Sequence, residues 1–329
     1  MRVALVWRTF VVGGCEVRMA SLARELLRRG DECWVVAART RGRQARQVCE
    51  MTKLPRERLV LLGRWGFAEK LQRWLSDMKP EVIDYQHPSG LRTFPVPAGS
   101  RAVVTVHGWE DAPAPGKISD LLITVCRLPE DSPARISRRC FEIWNGVDLE
   151  RFRFHPEPGE GIAFVGRLMP RKMGPLMGLW EHLEQVDIVG PVDRQARRAL
   201  DLRRLPAHVR LRGSGDPAEA MQRYRVIFGS GLVALEAMAQ GRLLMAGHSR
   251  AVAPRPEGMA AFSASKFTEG PPETQGRGVT EALEEVRWLL AEPHPELRRF
   301  YREYVEQHHD MRKQAARVRE VYEEAVAHQ

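Results

Sequence analysis

Short apolar runs that end in glycine and alternate with helical stretches restrict this chain more than any other feature. Ile162-Ala163-Phe164-Val165 is the run the rest is organised around. Apolar at every position, it reads as a strand buried on both faces, as in a parallel sheet covered by helices. Gly166 ends it, and Pro170 keeps the following residues out of helix for a turn. The loop carries Arg167 and Lys172, with Arg171 beside them. It falls at the C-terminal edge of the strand, where parallel sheets bind ligands. A guanidinium and an ammonium converging there suit a diphosphate. On this stretch alone, a surface loop with solvated charges fits equally.

The chain opens in the same rhythm. Val3 to Trp7 is a strand, Val11-Val12-Gly13-Gly14 a glycine loop, and Glu16 to Arg29 a helix. Met19, Leu22, Ala23, Leu26 and Leu27 fall on one face of that helix, and Cys33 to Ala38 is the next strand. A dinucleotide fold would place G-x-G-x-x-G here and an acidic residue after the second strand. This chain has a single Gly-Gly pair and Arg39, which argues against NAD. Two glycines at a helix start still let backbone N–H groups approach an anion. Leu59–Leu62, Val82–Tyr85, Ala102–Val106, Leu121–Val125 and Phe141–Trp144 read as further strands, and Phe67–Met78 as an amphipathic helix. His107 follows its strand directly and so sits on the ligand edge.

Residues 153–160, with Pro156, Pro158 and Gly159, read as a linker. A second alternation begins at Ile162. Its strands are Val186–Gly190, Val209–Gly213, Val226–Phe228 and Leu243–Ala246. Gly229-Ser230-Gly231 forms a glycine-rich turn into a helix from Leu232 to Gln240, with Glu236 in its second turn. Val279–Leu290 is a helix, and Leu297–Ala327 a helical tail with a break near Asp310. The fold class is therefore α/β, in two halves.

With 329 residues and 43% hydrophobic content, the chain has material for two ordinary domains. No apolar run reaches the roughly 18 residues a membrane span needs. Arg8 closes the apolar start too early for a signal peptide. Five cysteines without a CxxC pair indicate neither a zinc site nor a disulfide framework, and fit a reducing cytoplasm. Residues 1–155 hold 26 Lys+Arg against 18 Asp+Glu, and residues 156–329 hold 25 against 24. The basic first half would suit an anionic acceptor or peripheral contact with the anionic inner membrane face, or it is a solvated Arg-rich surface. No nucleic-acid motif is present, so no nucleic-acid partner is expected.

Four motifs taken together resemble a family. Gly13-Gly14 with Glu16 comes first, then Asn145-Gly146-Val147-Asp148-Leu149-Glu150-Arg151-Phe152. Gly166-Arg167-Leu168 with Lys172 follows, then Leu235-Glu236-Ala237-Met238-Ala239-Gln240-Gly241. The series resembles the retaining nucleotide-sugar glycosyltransferases of the GT-B fold, family 4 type. The resemblance implies two Rossmann-like, doubly wound domains facing across a cleft. The acceptor domain would be residues 1–155 and the donor domain 156–295, with a C-terminal helical tail, 296–329, crossing back to the first. It implies that Arg167 and Lys172 hold the donor diphosphate and that Glu236 accepts hydrogen bonds from the ribose hydroxyls. Gly13 and Gly14 would lie near the phosphates and acceptor, with His107 near the donor sugar. Gly166, Gly190, Arg212 and the backbone of Gly229, Ser230, Gly231 and Leu232 complete the expected donor site.

The implied partners are a nucleotide-sugar donor, UDP-linked, and an unidentified acceptor. No cofactor and no metal are expected: no D-x-D sequence is present, and fixed cations can stabilise the departing diphosphate instead. One departure stands out. The family's first glutamate of a pair would fall at position 228, which is Phe228 here. Two rivals remain open, a nucleotide-sugar-binding pseudoenzyme and a sugar-nucleotide 2-epimerase. An epimerase would need several acid/base groups, and His107 is the one that can be named.

Overall fold

The computed structural model describes residues 1–40, 42–86, 96–108, 121–128, 139–169, 177–192, 205–247, 251–268 and 278–327. The chain divides into two compact units, one of residues 1–146 with 311–329 and the other of residues 147–310. The first unit is built on a seven-stranded sheet in the order β3-β2-β1-β4-β5-β6-β7. The strands are β1 (Arg2–Phe10), β2 (Glu32–Thr40), β3 (Leu59–Leu61), β4 (Val82–Tyr85), β5 (Arg101–Val106), β6 (Leu121–Thr124) and β7 (Arg139–Glu142). Every neighbouring pair is parallel. The order reverses direction between β1 and β4, which is the point where a doubly wound sheet opens a crevice for a ligand.

Helix α1 (Gly14–Arg28) shows why the opening folds as it does. Met19, Leu22, Ala23 and Leu26 repeat at helical spacing, and all are fully buried. Together with α2 (Gly42–Thr52) and the C-terminal helix, these side chains fill one face of the sheet. Phe67, Leu71 and Leu75 of α3 (Phe67–Met78) fill the other. The expected strand Phe141–Trp144 lies two residues earlier, as β7. This is the edge strand, half exposed, so Arg139 is accommodated where an apolar-run reading rejects it.

The second unit carries a five-stranded parallel sheet in the order β10-β9-β8-β11-β12. Its strands are β8 (Ile162–Val165), β9 (Val186–Val189), β10 (Val209–Gly213), β11 (Val226–Gly229) and β12 (Leu243–Ala246). Here the switch point falls between β8 and β11. Its helices include α4 (Pro217–Met221), α5 (Leu232–Ala239), α6 (Met259–Ala264), α7 (Val279–Ala291) and α8 (Pro295–His308). The helical tail breaks at His309-Asp310, and α9 (Met311–Ala327) belongs to the first unit.

Two boundaries differ from the sequence reading. Residues 153–160, expected as a linker, are bound into the second unit. Arg242 and Arg298, both buried, donate to the carbonyls of His155 and Glu157, and Arg298 also to that of Pro156. Backbone carbonyls rather than side chains hold this stretch, so its Pro/Gly content misled. The contact boundaries fall at 146/147 and 310/311, so α8 stays with the second unit and α9 alone returns to the first. Gly146 is needed at the first boundary because a Cβ there would sit 2.6 Å from the Met311 Cα.

Candidate functional site

All five strands of the second sheet end in glycine at one rim: Gly166, Gly190, Gly213, Gly229 and Gly247. At Gly190 the reason is steric. A Cβ there would lie 1.9 Å from the Gly166 carbonyl oxygen, and φ is +144°. The strand ends are stitched through backbone, with Gly166 N–H donating to Val189 O and Gly190 N–H to Gly213 O, each at 2.9 Å. The strand ends themselves therefore carry no side chains, and a ligand can approach the main chain closely there.

The two sides of the switch point come together. Gly166 and Arg167 follow β8, and Leu168 anchors that loop, fully buried, with its N–H on Pro191 O at 3.0 Å. Gly229-Ser230-Gly231 follow β11 and lead into α5. A Cβ on Gly166 would lie 3.9 Å from Val233 Cγ2, so the β8 end touches the first turn of α5. Gly231 caps that helix at φ +62° and donates its N–H to Lys266 O at 2.9 Å. The N–H groups of the first turn of α5 have no partner within the helix. Lys172, with Pro170 and Arg171, lies outside the described residues. Phe228 is core, 3% exposed and packed with Phe164 and Met245.

Glu236 stands out on α5. The helix is apolar on every side, with seven of its eight residues buried, and Glu236 is its one ionisable residue. An all-apolar helix is what burial between a sheet and another helix demands, so a carboxyl inside it is costly. Glu236 is 4% exposed, and among the described residues no hydrogen bond satisfies its carboxyl. Burial pushes its pKa up to about 8; the Arg151 guanidinium opposes the rise and Asp216 adds to it. Arg151 is held in turn by Asp216, Nη2 to Oδ1 at 2.5 Å. Asp216 also caps α4 by accepting from Ala218 N–H at 2.8 Å. Arg151 belongs to the motif that begins at Asn145, so two of the four motifs meet at this carboxyl.

Arg212 is occupied elsewhere. Its Nε donates to Asp187 Oδ2 at 2.8 Å, and Tyr224 OH donates to the same oxygen at 2.7 Å. On the first unit, Gly13 is the extended N-cap of α1, with Gly14 as its first residue. His107 follows β5 at that sheet's rim, edge-on to Trp7 and with Nε2 3.0 Å from Gln86 Oε1. Sequence reasoning missed a buried polar group beneath it: Arg18, Asp84, Gln86, Thr105 and Tyr322. A signal was present, since Asp84 is a charged residue inside the apolar run Val82–Tyr85. Among the described residues, no group of three His, Cys, Asp or Glu side chains is arranged to hold a metal, and no helix is long and apolar enough to cross a membrane.

Two doubly wound parallel units, the chain returning to the first through its last helix, define the GT-B class of glycosyltransferase fold. Solved structures agree over nearly the full length. AviGT4, a glycosyltransferase involved in avilamycin A biosynthesis, aligns at TM-score 0.66 and 18% identity, covering 99% of this chain and 98% of that one. HepE of Anabaena, solved with UDP and glucose, aligns at 0.70 and 13%, covering 98% and 100%. WaaG, a glycosyltransferase involved in lipopolysaccharide biosynthesis, aligns at 0.65 and 14%, covering 96% and 98%. Residues 12–151 match the sequence model described as Glycosyltransferase Family 4. No curated protein matches the chain by sequence.

Proposed function

We propose that this protein is a retaining, metal-independent glycosyltransferase that moves a sugar from a UDP-sugar to an acceptor. The observation that carries the reading is Glu236, a buried carboxyl without a hydrogen-bond donor among the described residues, beside strand ends that finish in glycine. A vicinal diol supplies the two donors such a carboxyl lacks, and a ribose has one. In this reading the ribose hydroxyls bond Glu236. The diphosphate lies along the Gly229–Leu232 turn at the start of α5, where a helix N-terminus favours negative charge. Arg167 and Lys172 neutralise the charge that grows on the leaving diphosphate as the glycosidic bond breaks. That acts on the transition state more than on the ground state. The acceptor hydroxyl attacks from the face the diphosphate leaves, and a phosphate oxygen takes its proton, so no protein base is required. Gly190 contributes to the rim, and Gly13, Gly14 and His107 of the first unit serve the sugar and acceptor. Phe228 is packed in the core where a carboxylate was expected, so selection of the sugar falls to backbone groups.

The test is a panel of nucleoside diphosphate sugars incubated with the purified chain in EDTA. Slow release of UDP from one donor, with product of unchanged anomeric configuration by NMR, is expected. Isomerised donor would identify an epimerase, and binding without turnover a pseudoenzyme.

We further assign peripheral contact with an anionic membrane surface to the tip after β3. Trp65 is 84% exposed and Leu61 44%. Arg64 lies over the Trp65 ring at 5.9 Å, and Lys70 and Arg73 are exposed on α3. An exposed indole flanked by cations suits a headgroup layer. Sedimentation with phosphatidylglycerol vesicles, and none with phosphatidylcholine, is expected; equal binding of Trp65→Ser would remove the assignment.

A further inference from the structure

Among the described residues, Arg18, Arg24, Arg242 and Arg298 are buried arginines, and Arg18 differs from the other three. Arg24 donates to Glu25 and to the Thr52 carbonyl. Arg242 and Arg298 donate to the carbonyls around residues 155–157. Arg18, on α1 and 3% exposed, has its Nη1 fully enclosed without a hydrogen bond. Asp84 of β4 acts on it electrostatically, yet the hydrogen bonds of that carboxyl come from Tyr322 and Thr105. Burial raises the Asp84 pKa, so this carboxyl resists the charged form that would neutralise a cation. A guanidinium cannot shed its own charge. Buried charges are paired, and one that is not asks for a partner from outside the chain.

Helical side chains lean back toward the N-terminus, so Arg18 lies against the turn of Gly14 and Cys15. Cys15, three residues earlier, shares its side of the helix and acts on the guanidinium electrostatically. Glu16, two residues earlier, falls on the opposite side. The turn is open to solvent: Gly14 is exposed, and Gly13 and Cys15 are half-buried. It also begins a 15-residue helix, whose N-terminus favours negative charge. The basic excess of the chain falls in the same half, 26 Lys+Arg against 18 Asp+Glu over residues 1–155. We propose that Arg18 and the first turn of α1 bind an oxyanion carried by the acceptor, a phosphate or carboxylate, so that the substrate receiving the sugar is an anion. The guanidinium fork matches two oxygens of such a group. The proposal rests on the proposed function, which places the donor diphosphate on the second unit and leaves this turn to the acceptor.

The experiment is calorimetric titration of inorganic phosphate into the full chain, with and without saturating UDP. Wild type is expected to bind phosphate in both cases. Arg18→Lys keeps the charge but not the fork and should bind phosphate about 10-fold more weakly; Arg18→Met removes the charge and should bind it about 100-fold more weakly. Thermal unfolding separates binding from structure. Without phosphate, Arg18→Met should melt no lower than wild type, because it removes a buried, unpaired cation. Phosphate should raise the Tm of wild type and leave that of Arg18→Met unchanged. If Arg18→Met does not fold, the affinity of Arg18→Lys decides. Phosphate affinity unaltered in Arg18→Lys, or no phosphate binding by wild type, overturns the proposal. Binding that UDP abolishes overturns it too, since the site is then the donor's. With a UDP-sugar, Arg18→Lys should raise the KM for an anionic acceptor about 10-fold at unchanged donor KM. Should wild type transfer no sugar, the proposed function fails while the phosphate titration still judges Arg18.

Discussion

Glu236→Gln separates the carboxyl's cost from its use. The glutamine keeps shape and hydrogen-bonding capacity but cannot ionise. Burial raises the Glu236 carboxyl from the ordinary carboxylate range to about 8. Between the two values the native state therefore binds more protons than the unfolded state, and stability must fall as pH rises. The contribution is complete below the unfolded pKa and is lost as pH climbs to the folded one. A tenfold difference in proton affinity between the two states is worth about 1.4 kcal/mol. From pH 5 to pH 8 wild type should thus lose about 4 kcal/mol relative to Glu236→Gln as an upper limit, and relaxation around the charge makes about 2 kcal/mol a sound working figure. Urea unfolding of both proteins at pH 5, 6.5 and 8 reads this directly. The variant should match wild type at pH 5 and exceed it at pH 8. Parallel stability curves would mean the carboxyl is not held in an apolar environment. The same titration has a binding counterpart: ribose hydroxyls donating to the ionised form should release a proton, so affinity for the UDP-sugar should rise from pH 6 to 8 in wild type and stay flat in Glu236→Gln.

The rim and its cations yield sharper losses. Gly190→Ala pushes a Cβ into the Gly166 carbonyl and forbids the native φ, so a loss of about 3 kcal/mol is expected in urea unfolding; a loss under 1 kcal/mol would mean the strand ends are not in contact. Arg167→Ala and Lys172→Ala should each cut turnover by about 10²–10³-fold if they stabilise developing charge on the leaving group, and steady-state kinetics with turnover unaltered in both would dismiss that role. Tyr322→Phe removes the hydroxyl on Asp84 and should cost about 1–2 kcal/mol by calorimetry; a neutral change would show that this hydroxyl adds nothing to the hold on the C-terminal helix.

Much of the fold was legible because period and punctuation agreed. Phe67–Met78, Val82–Tyr85 and Leu243–Ala246 match the sequence reading residue for residue. Apolar runs bounded by Gly or Pro admit few alternatives there. The edge strand β7 slipped because partial exposure weakens the apolar signal. The linker reading of 153–160 failed because Arg242 and Arg298, more than 80 residues away in sequence, fasten it through carbonyls. The candidate site divides along the same line. Gly166, Gly229–Gly231 and Glu236 were readable because turn residues and a lone carboxyl in an apolar helix announce themselves locally. The pairing of Arg212 with Asp187, and the Tyr322–Asp84 bond joining residues 238 apart, depend on tertiary contacts that no local pattern carries.

Hydrogen exchange with and without UDP most directly tests whether the second sheet's switch point holds the nucleotide diphosphate. UDP should slow exchange in peptides covering 166–169 and 229–240 within the second unit, with the effect lost in Glu236→Ala. Unchanged exchange in both segments under saturating UDP, or protection confined to the opposite edge of that sheet, would contradict it.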